Sequence, residues 1–467
     1  MLQLRGSTLN LKQRFGPRSF YMQALAIALP VMLQQFIMSM VSLIDNFMVA
    51  GLGDISMAAV NVTNHIFFIF FVIINTICQA GGIYIAQFNG ANDAGGMKNA
   101  FSFKVLFALS ISVLYLAVCR TYPQLLLGML TTNNTAQEEI VAVGTTYLRL
   151  VSWAFIPTAI SMSIATSFRE IAKPKIPLII SGAAAIVNTI GNWMLIYGNL
   201  GAPRLEVVGA GYATIIARSF EVVVFLIYTA YSKAPFFGGI KRLFIIKKDL
   251  ISEIFVKSGM IFASEISWVI SETLMIAMYN RRGGAEVVAG MAAGWTVANV
   301  FFLLFSGLWT ASTIMVGGAL GAGKLEEARL RAGWLKWGGA VAGIILAIPG
   351  VLITAGLVPL VFHNLSAAAR ANCMGLVSVI LAYLPIWCFL NVQFAISRAG
   401  GDTAMGMYTD VSVNTLLFAP GAILLSLFTA IAPVPMFALL KLTDIVKIFI
   451  ARHLLKKEKW VRNLTIT

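Results

Sequence analysis

The run LPVMLQQFIMSMVSLIDNFMVAGL carries one acidic residue, Asp45, in an otherwise uncharged stretch. A carboxylate inside a membrane span is costly unless it faces a cavity or a partner, so it is a functional candidate by default. Three neutral oxygen-bearing side chains converge on this depth in later apolar runs, Asn188 one turn further in than Asn192. Asn188 and Asn192 are four apart and share a helix face, and Thr214 lies in the run that follows. Counted inward from the outer ends of their runs, Asp45 and Thr214 are seven residues deep and Asn192 six, about 10 Å at the helical rise. Carboxylate, amide and hydroxyl oxygens are the ligands a hard cation takes, so Asp45, Asn188, Asn192 and Thr214 form a candidate Na⁺ site. Simple protonation of Asp45 is the competing chemistry.

Further charges lie inside the apolar runs. Glu265 and Glu272 are seven apart, about two turns, and share a face; Asp410 has a depth similar to that of Glu265. All three are candidates for coupling or for a substrate cavity. Arg218 and Glu221 are three apart and can pair; Arg218, one turn from Thr214, can alternatively act on Asp45. Lys441, Asp444 and Lys447 repeat at helical spacing, which snorkelling or pairing explains. Pro30 sits in the middle of the first run, where it removes a backbone hydrogen bond and bends the helix. The histidines His65, His363 and His453 are isolated and no phosphate loop is present, so neither a paired-His metal site nor ATP is indicated. Enzymatic activity and a cofactor are therefore not expected.

These residues need elements that cross a bilayer. The chain has 467 residues, 59% of them apolar and 11% charged, with a mean hydropathy of +0.84. A soluble chain carries about 25% charged residues, which excludes an ordinary cytosolic enzyme. At about 20 apolar residues per crossing, the expected fold is an all-α integral membrane protein of twelve transmembrane helices, the first near 21–52 and the last near 432–452. The net charge of +15 reflects basic residues in short loops, which set membrane orientation instead of marking a nucleic-acid partner. With the N-terminus inside, inner segments hold 25 Lys and Arg, Lys104 among them, against Arg120, Arg204, Arg281, Arg282 and Arg370 outside. That asymmetry places both termini of a multi-pass cell-membrane protein in the cytoplasm. The basic start precedes a run too long for a signal h-region, so the first span is expected to be retained. Cys78, Cys119, Cys373 and Cys388 are far apart and read as small core residues. The 31 Phe, 9 Trp, 12 Tyr and 20 Met suit an adaptable cavity and equally suit ordinary packing.

The chain repeats itself. AQFNGANDAGGMKNAF after the second span is echoed by GGALGAGKLEEARLRAGW after the eighth, with Gly90 and Gly321 231 positions apart. ATSFREIAKPKIPL and AISRAGGDTAMGMY each follow the fourth span of a half, with Arg169 and Arg398 229 apart. The expected organisation is a cytoplasmic segment 1–20, a lobe 21–231, a cytoplasmic linker 232–257, a lobe 258–452 and a tail 453–467. The linker is expected to lie along the anionic leaflet with its Phe and Ile residues dipping in. Six spans per half give two pseudo-symmetric lobes of the same orientation, a parallel repeat about the membrane normal, and such transporters rock one lobe against the other around a central cavity. The offset of about 230 maps Gln35 onto Glu265, so the lobes are chemically unequal, and it maps Pro30 onto Met260.

LPVMLQQFIMSMVSLIDNFMVAGLGDISMAAV, the QFNGANDAGG loop, VNTIGNWMLIYG followed by GAGYATIIAR, and the GGALGAGKLEEAR loop together resemble the multidrug and toxic compound extrusion (MATE) family over about residues 20–455. The resemblance implies a secondary active exporter of amphipathic, often cationic, compounds that exchanges them for Na⁺ or H⁺ and needs no other cofactor. It also implies that Asp45, Asn188, Asn192 and Thr214 are the cation-binding positions of the N-lobe, although relatives often carry a carboxylate where this chain has Asn192. A proline at the place of Pro30 is associated in the family with bending of the first helix, and this chain lacks the second proline often seen at the place of Met260. Relatives with a Glu in the seventh span use it for coupling or for cationic substrates, which points to Glu265; Gln35, Arg218, Glu272 and Asp410 are further cavity or substrate candidates. The expected partners are small amphipathic or cationic molecules and the lipid bilayer, with the protein a monomer. The alternative is a lipid-linked oligosaccharide flippase of the same superfamily, which would line its cavity with several Arg or Lys for pyrophosphate.

Overall fold

The computed structural model describes residues 14–132, 136–244 and 248–466, the side chains of residues 240, 248 and 249 excepted. Residues 1–13 of the expected N-terminal segment, 245–247 of the expected linker and 467 of the expected tail lie outside the described residues. All described regular structure is helical: α1 (Arg18–Ala50), α2 (Asp54–Gly90), α3 (Ala94–Thr121), α4 (Pro123–Leu130), α5 (Gln137–Glu170, with a 3-10 turn at Ser152–Ala154), α6 (Lys175–Tyr197) and α7 (Glu206–Tyr231). After a single turn at Ile240–Leu243 come α8 (Lys248–Asn280), α9 (Ala285–Gly321), α10 (Leu325–Val361), α11 (Ala367–Ala399), α12 (Thr403–Phe428), α13 (Pro433–Lys441) and α14 (Thr443–Lys456).

Eleven of these are long and apolar enough to cross a membrane. The expected twelfth crossing is instead the pair α13 and α14. Its three charges, Lys441, Asp444 and Lys447, interrupt the apolar run, and the Leu442 N–H reaches back to the Leu439 carbonyl, at 3.2 Å. That i→i+3 bond tightens one turn, while Leu442 keeps helical dihedrals (φ −59°, ψ −25°), so the chain continues in the same sense.

The duplication is visible in element lengths. α1 and α8 have 33 residues each, α2 and α9 have 37 each. The third crossing differs: the first copy breaks at Tyr122 before Pro123, whereas α10 runs through Pro349 and Pro359. The chain forms two compact units. Among the described residues, one holds those up to Met32, Gly90–Asn92 and those from Gly259; the other holds those of Leu33–Asn89 and Asp93–Ser258. α1 thus divides two residues past Pro30, through which its helix continues.

In the amino-terminal unit, Val49, Val60, Tyr147, Val151, Ile196, Val207 and Ala210 pack together at one end of the bundle. Phe236, expected to dip into the leaflet, is fully buried against Phe101 and Phe168, at centroid distances of 4.9 and 5.1 Å. In the carboxy-terminal unit, one core joins α1, α9, α10, α11 and α14 and includes Trp460 of the tail. A second is rich in Met and aromatic residues, among them Met275, Tyr279, Met291, Trp387, Phe418 and Phe437. The four cysteines are free and buried. Within α12, residues Asn414–Phe418 form a π-helical turn.

Candidate functional site

In the amino-terminal unit, α1 and α6 bring three of the four candidate cation ligands together. The Asn192 amide nitrogen donates to Asp45 Oδ1 at 2.7 Å. Hydrogen-bond complementarity orients the Asn188 amide with its nitrogen toward the same carboxylate, at 3.2 Å from Oδ1 and 3.0 Å from Oδ2. Asn188 is 9% and Asn192 2% exposed, and the Asn192 carbonyl oxygen is buried with no hydrogen-bond partner. Thr214 points its hydroxyl proton at the Ala210 carbonyl of its own helix, 2.9 Å away. One turn beyond Asp45, the Tyr197 hydroxyl donates to the Met48 carbonyl at 2.8 Å and ties α6 to α1. The carboxylate is therefore held by two amide N–H donors, while the amide oxygens face elsewhere.

A second polar chain crosses four helices of the same unit. Arg169 donates to the Gln34 amide oxygen at 2.7 Å; the Gln34 nitrogen donates to Ser181 Oγ at 2.9 Å; Ser181 donates to Glu221 Oε1 at 2.7 Å; and Arg218 pairs with Glu221 at 2.9 Å. The Arg218–Glu221 pair expected from spacing is present. Gln35 is exposed, and its neighbour Gln34 is the residue built into the chain. Below it, Lys104, tallied with the cytoplasmic loops, lies inside α3, fully buried, with its ammonium 2.8 Å from Glu170 Oε2 and 3.0 Å from Ser167 Oγ. Two glycines of α2 make the room: a Cβ on Gly81 would meet Lys104 Cγ at 2.4 Å, and one on Gly82 would meet Glu170 Oε1 at 2.0 Å.

The carboxy-terminal unit pairs its carboxylates with built-in cations. Glu265 takes Arg398 at 3.1 Å, and the Arg398 guanidinium lies 4.8 Å over Trp309. Ser264 donates to Asp410, which also faces Lys447 at 3.3 Å; Lys447 reaches Asp444 at 3.4 Å, and Trp387 Nε1 donates to Asp444 at 2.9 Å. Glu272 accepts from Lys441. Glu265 and Glu272, expected to share a face, thus have separate partners on α11 and α13. Spacing alone carried no signal for these cross-helix pairs.

A duplicated, all-helical bundle of membrane-spanning length with buried carboxylates in each copy is the architecture of parallel-repeat membrane transport proteins. The family profile described as MatE matches residues 30–194 and 260–424, one copy in each half, and the chain belongs to this family. It is 25% identical over 311 residues to the multidrug resistance protein MdtK of Edwardsiella ictaluri, covering 66% of each chain. It is 26% identical over 420 residues to a probable multidrug resistance protein NorM of Synechococcus, covering 86% of this chain and 84% of that protein. Among solved structures, an outward-facing multidrug resistance MATE transporter matches 97% of this chain and 98% of its own with a TM-score of 0.80 at 16% identity. A MATE crystal structure in complex with MaL6 gives 0.83 at 16% identity, with 97% and 99% covered. These likenesses establish the two-lobe MATE fold.

Proposed function

We propose that this protein is a multidrug exporter of the cell membrane, exchanging amphipathic or cationic organic compounds for an inward-moving cation that acts at Asp45. The observation that carries the reading is the Asp45–Asn188–Asn192 cluster, a half-buried carboxylate held by two amides that join two helices. The MdtK and NorM names of the relatives support the substrate class. A cation that loads Asp45 in one state and leaves it in the other supplies the differential affinity that drives the exchange. The amide orientation favours H⁺ over Na⁺. A protonated Asp45 needs one acceptor, which a turn of Asn192 supplies with its unpartnered carbonyl oxygen. A hard metal cation needs a shell of oxygens, and here the Asn192 amide and the Thr214 hydroxyl would have to reorient to supply it. The Lys/Arg asymmetry supports cytoplasmic termini, and the chain works as a monomer in the bilayer.

The flippase alternative is disfavoured by the engagement of the deep cations. Arg169, Arg218, Arg398, Lys104, Lys441 and Lys447 each hold a partner inside their own unit, which leaves them committed before any pyrophosphate arrives. The test is efflux of a fluorescent organic cation from proteoliposomes under separate proton and Na⁺ gradients, with Asp45→Asn alongside. Proton-driven efflux that disappears in Asp45→Asn is the expected result. Unchanged coupled efflux in the variant removes Asp45 from the mechanism, and transport under neither gradient favours the flippase.

A further inference from the structure

Three basic side chains from separate stretches of the carboxy-terminal unit gather at one level of α10. Lys336 is the last charged residue before the uncharged run 337–362, a step that marks the boundary between headgroups and hydrocarbon. The Arg452 guanidinium of α14 is close enough to oppose the Lys336 charge. The start of α1 packs on the same turns of α10: the Tyr21 hydroxyl donates to the Trp334 carbonyl at 3.3 Å, and a Cβ on Gly338 would meet Tyr21 Cε1 at 2.5 Å. Just ahead of it, the Arg14 guanidinium lies 4.9 Å over Trp337. Among the described residues, no carboxylate pairs with any of these three cations. The acidic groups at this end are taken, Glu326 by Arg329, Glu327 by Arg331 and Lys324, and Glu458 by Arg329. Lys336 is only partly exposed, so like charges are held together with no anion between them, an arrangement that a bound anion relieves.

The surface that continues from the cations is apolar. α10 exposes Val341, Ile344, Ile345, Ile348 and Leu352, which follow Trp337 by 4, 7, 8, 11 and 15 positions and so lie on its face. Trp337 packs on Phe389 of α11, with ring centroids 5.4 Å apart, at the depth where interfacial tryptophans sit. The first copy lacks the assembly: the offset of 231 puts Val105 and Leu106 where Lys336 and Trp337 stand.

We propose that Arg14, Lys336, Trp337 and Arg452 form a binding site for one anionic phospholipid in the leaflet at the Leu325 end of α10. The phosphate sits among the three cations and an acyl chain follows the exposed stripe of α10. A zwitterionic lipid offers the same chains, but its ammonium offsets the phosphate, so the site discriminates by net charge. It is separate from Asp45 and is read by equilibrium binding without any ion gradient, so it stands or falls apart from the coupling scheme.

The experiment uses the full chain in detergent micelles, titrated with phosphatidylglycerol or phosphatidylcholine brominated on the acyl chains. The readout is the fluorescence quench contributed by Trp337, taken by difference from Trp337→Phe. Phosphatidylglycerol should give a saturable quench with an affinity at least about fivefold higher than that of phosphatidylcholine. Arg14→Gln, Lys336→Gln and Arg452→Gln should each weaken phosphatidylglycerol binding by about fivefold, the effect of one charge near the surface, whereas Lys336→Arg should keep the wild-type affinity. Equal affinity for the two lipids overturns the proposal, as does phosphatidylglycerol binding unchanged in the variant that carries both Lys336→Gln and Arg452→Gln. Displacement of the quench by inorganic phosphate at concentrations matching the lipid makes a free anion the ligand and also overturns it. Where a Gln variant fails to fold, the comparison of the two lipids on the wild type decides alone.

Discussion

The two copies solve one packing problem in opposite ways. In the amino-terminal unit, α2, α3 and α5 meet around Lys104, Glu170 and Ser167, with Gly81 and Gly82 opening the space. Offsets of 231 and 229 carry these positions to Leu335, Ala399, Ile396, Ser312 and Thr313, and the first three of those belong to an apolar core. The same backbone junction is an ion pair in one copy and oil in the other. The exchange recurs near the other end of the helices, where Asp45 corresponds to Met275. The charges the second copy does keep are paired across helices, whereas Asp45 meets only neutral amides. Duplication fixed where helices touch; what fills each contact diverged, so that Asp45 is held by neutral amides where Glu265, Glu272 and Asp410 of the second copy hold cations.

The comparison breaks most sharply at Asp45. Asp45→Asn should reduce gradient-driven efflux from proteoliposomes to the level of protein-free liposomes, while Met275→Leu, its counterpart, should leave the rate near wild type. Next is the buried pair. Lys104→Met strands Glu170 in an apolar interior and should cost about 3–5 kcal/mol, read as a lowered unfolding midpoint in micelles. Importing the other copy's solution with Lys104→Leu and Glu170→Ala together should recover most of that loss; a double variant no more stable than the single one would show that the junctions are not interchangeable. Gly82→Ala should cost about 1–3 kcal/mol by forcing Glu170 off its lysine, against a small change for Thr313→Ala. The least effect is expected at Thr214, whose hydroxyl serves its own backbone. Thr214→Val should change stability by roughly 0.6 kcal/mol and leave the proton dependence of efflux intact; loss of that dependence would place Thr214 among the residues that hold the cation.

Sequence spacing conveyed depth well and rotation poorly. The similar depths of Asp45 and Asn192, with Asn188 one turn further in, were legible because rise per residue is constant along a helix, and those three do meet. Gln34 and Gln35 differ by about 100° around the same helix, and nothing local says which one looks inward; Gln34 does. Lys104 reads as a loop cation because a buried lysine depends on Glu170, 66 residues away, and on the absence of two Cβ atoms. The pairs Arg398–Glu265 and Lys441–Glu272 likewise join helices whose facing surfaces are set by packing. The twelfth crossing was legible as a hydrophobic stretch, but its interruption at Leu442 follows from charges that must turn toward Asp410 and Glu272.

The π turn of α12 holds a consequence of phase. Asn414, at its start, donates to Ser267 Oγ at 3.0 Å, and Phe418, at its end, stands over Lys441. A π turn carries one residue more than an α turn, and each residue advances a helix by about 100°. Both contacts therefore depend on a single extra peptide unit: remove Leu416, and the two halves of α12 fall out of step, so the helix can honour Ser267 or Lys441 but not both.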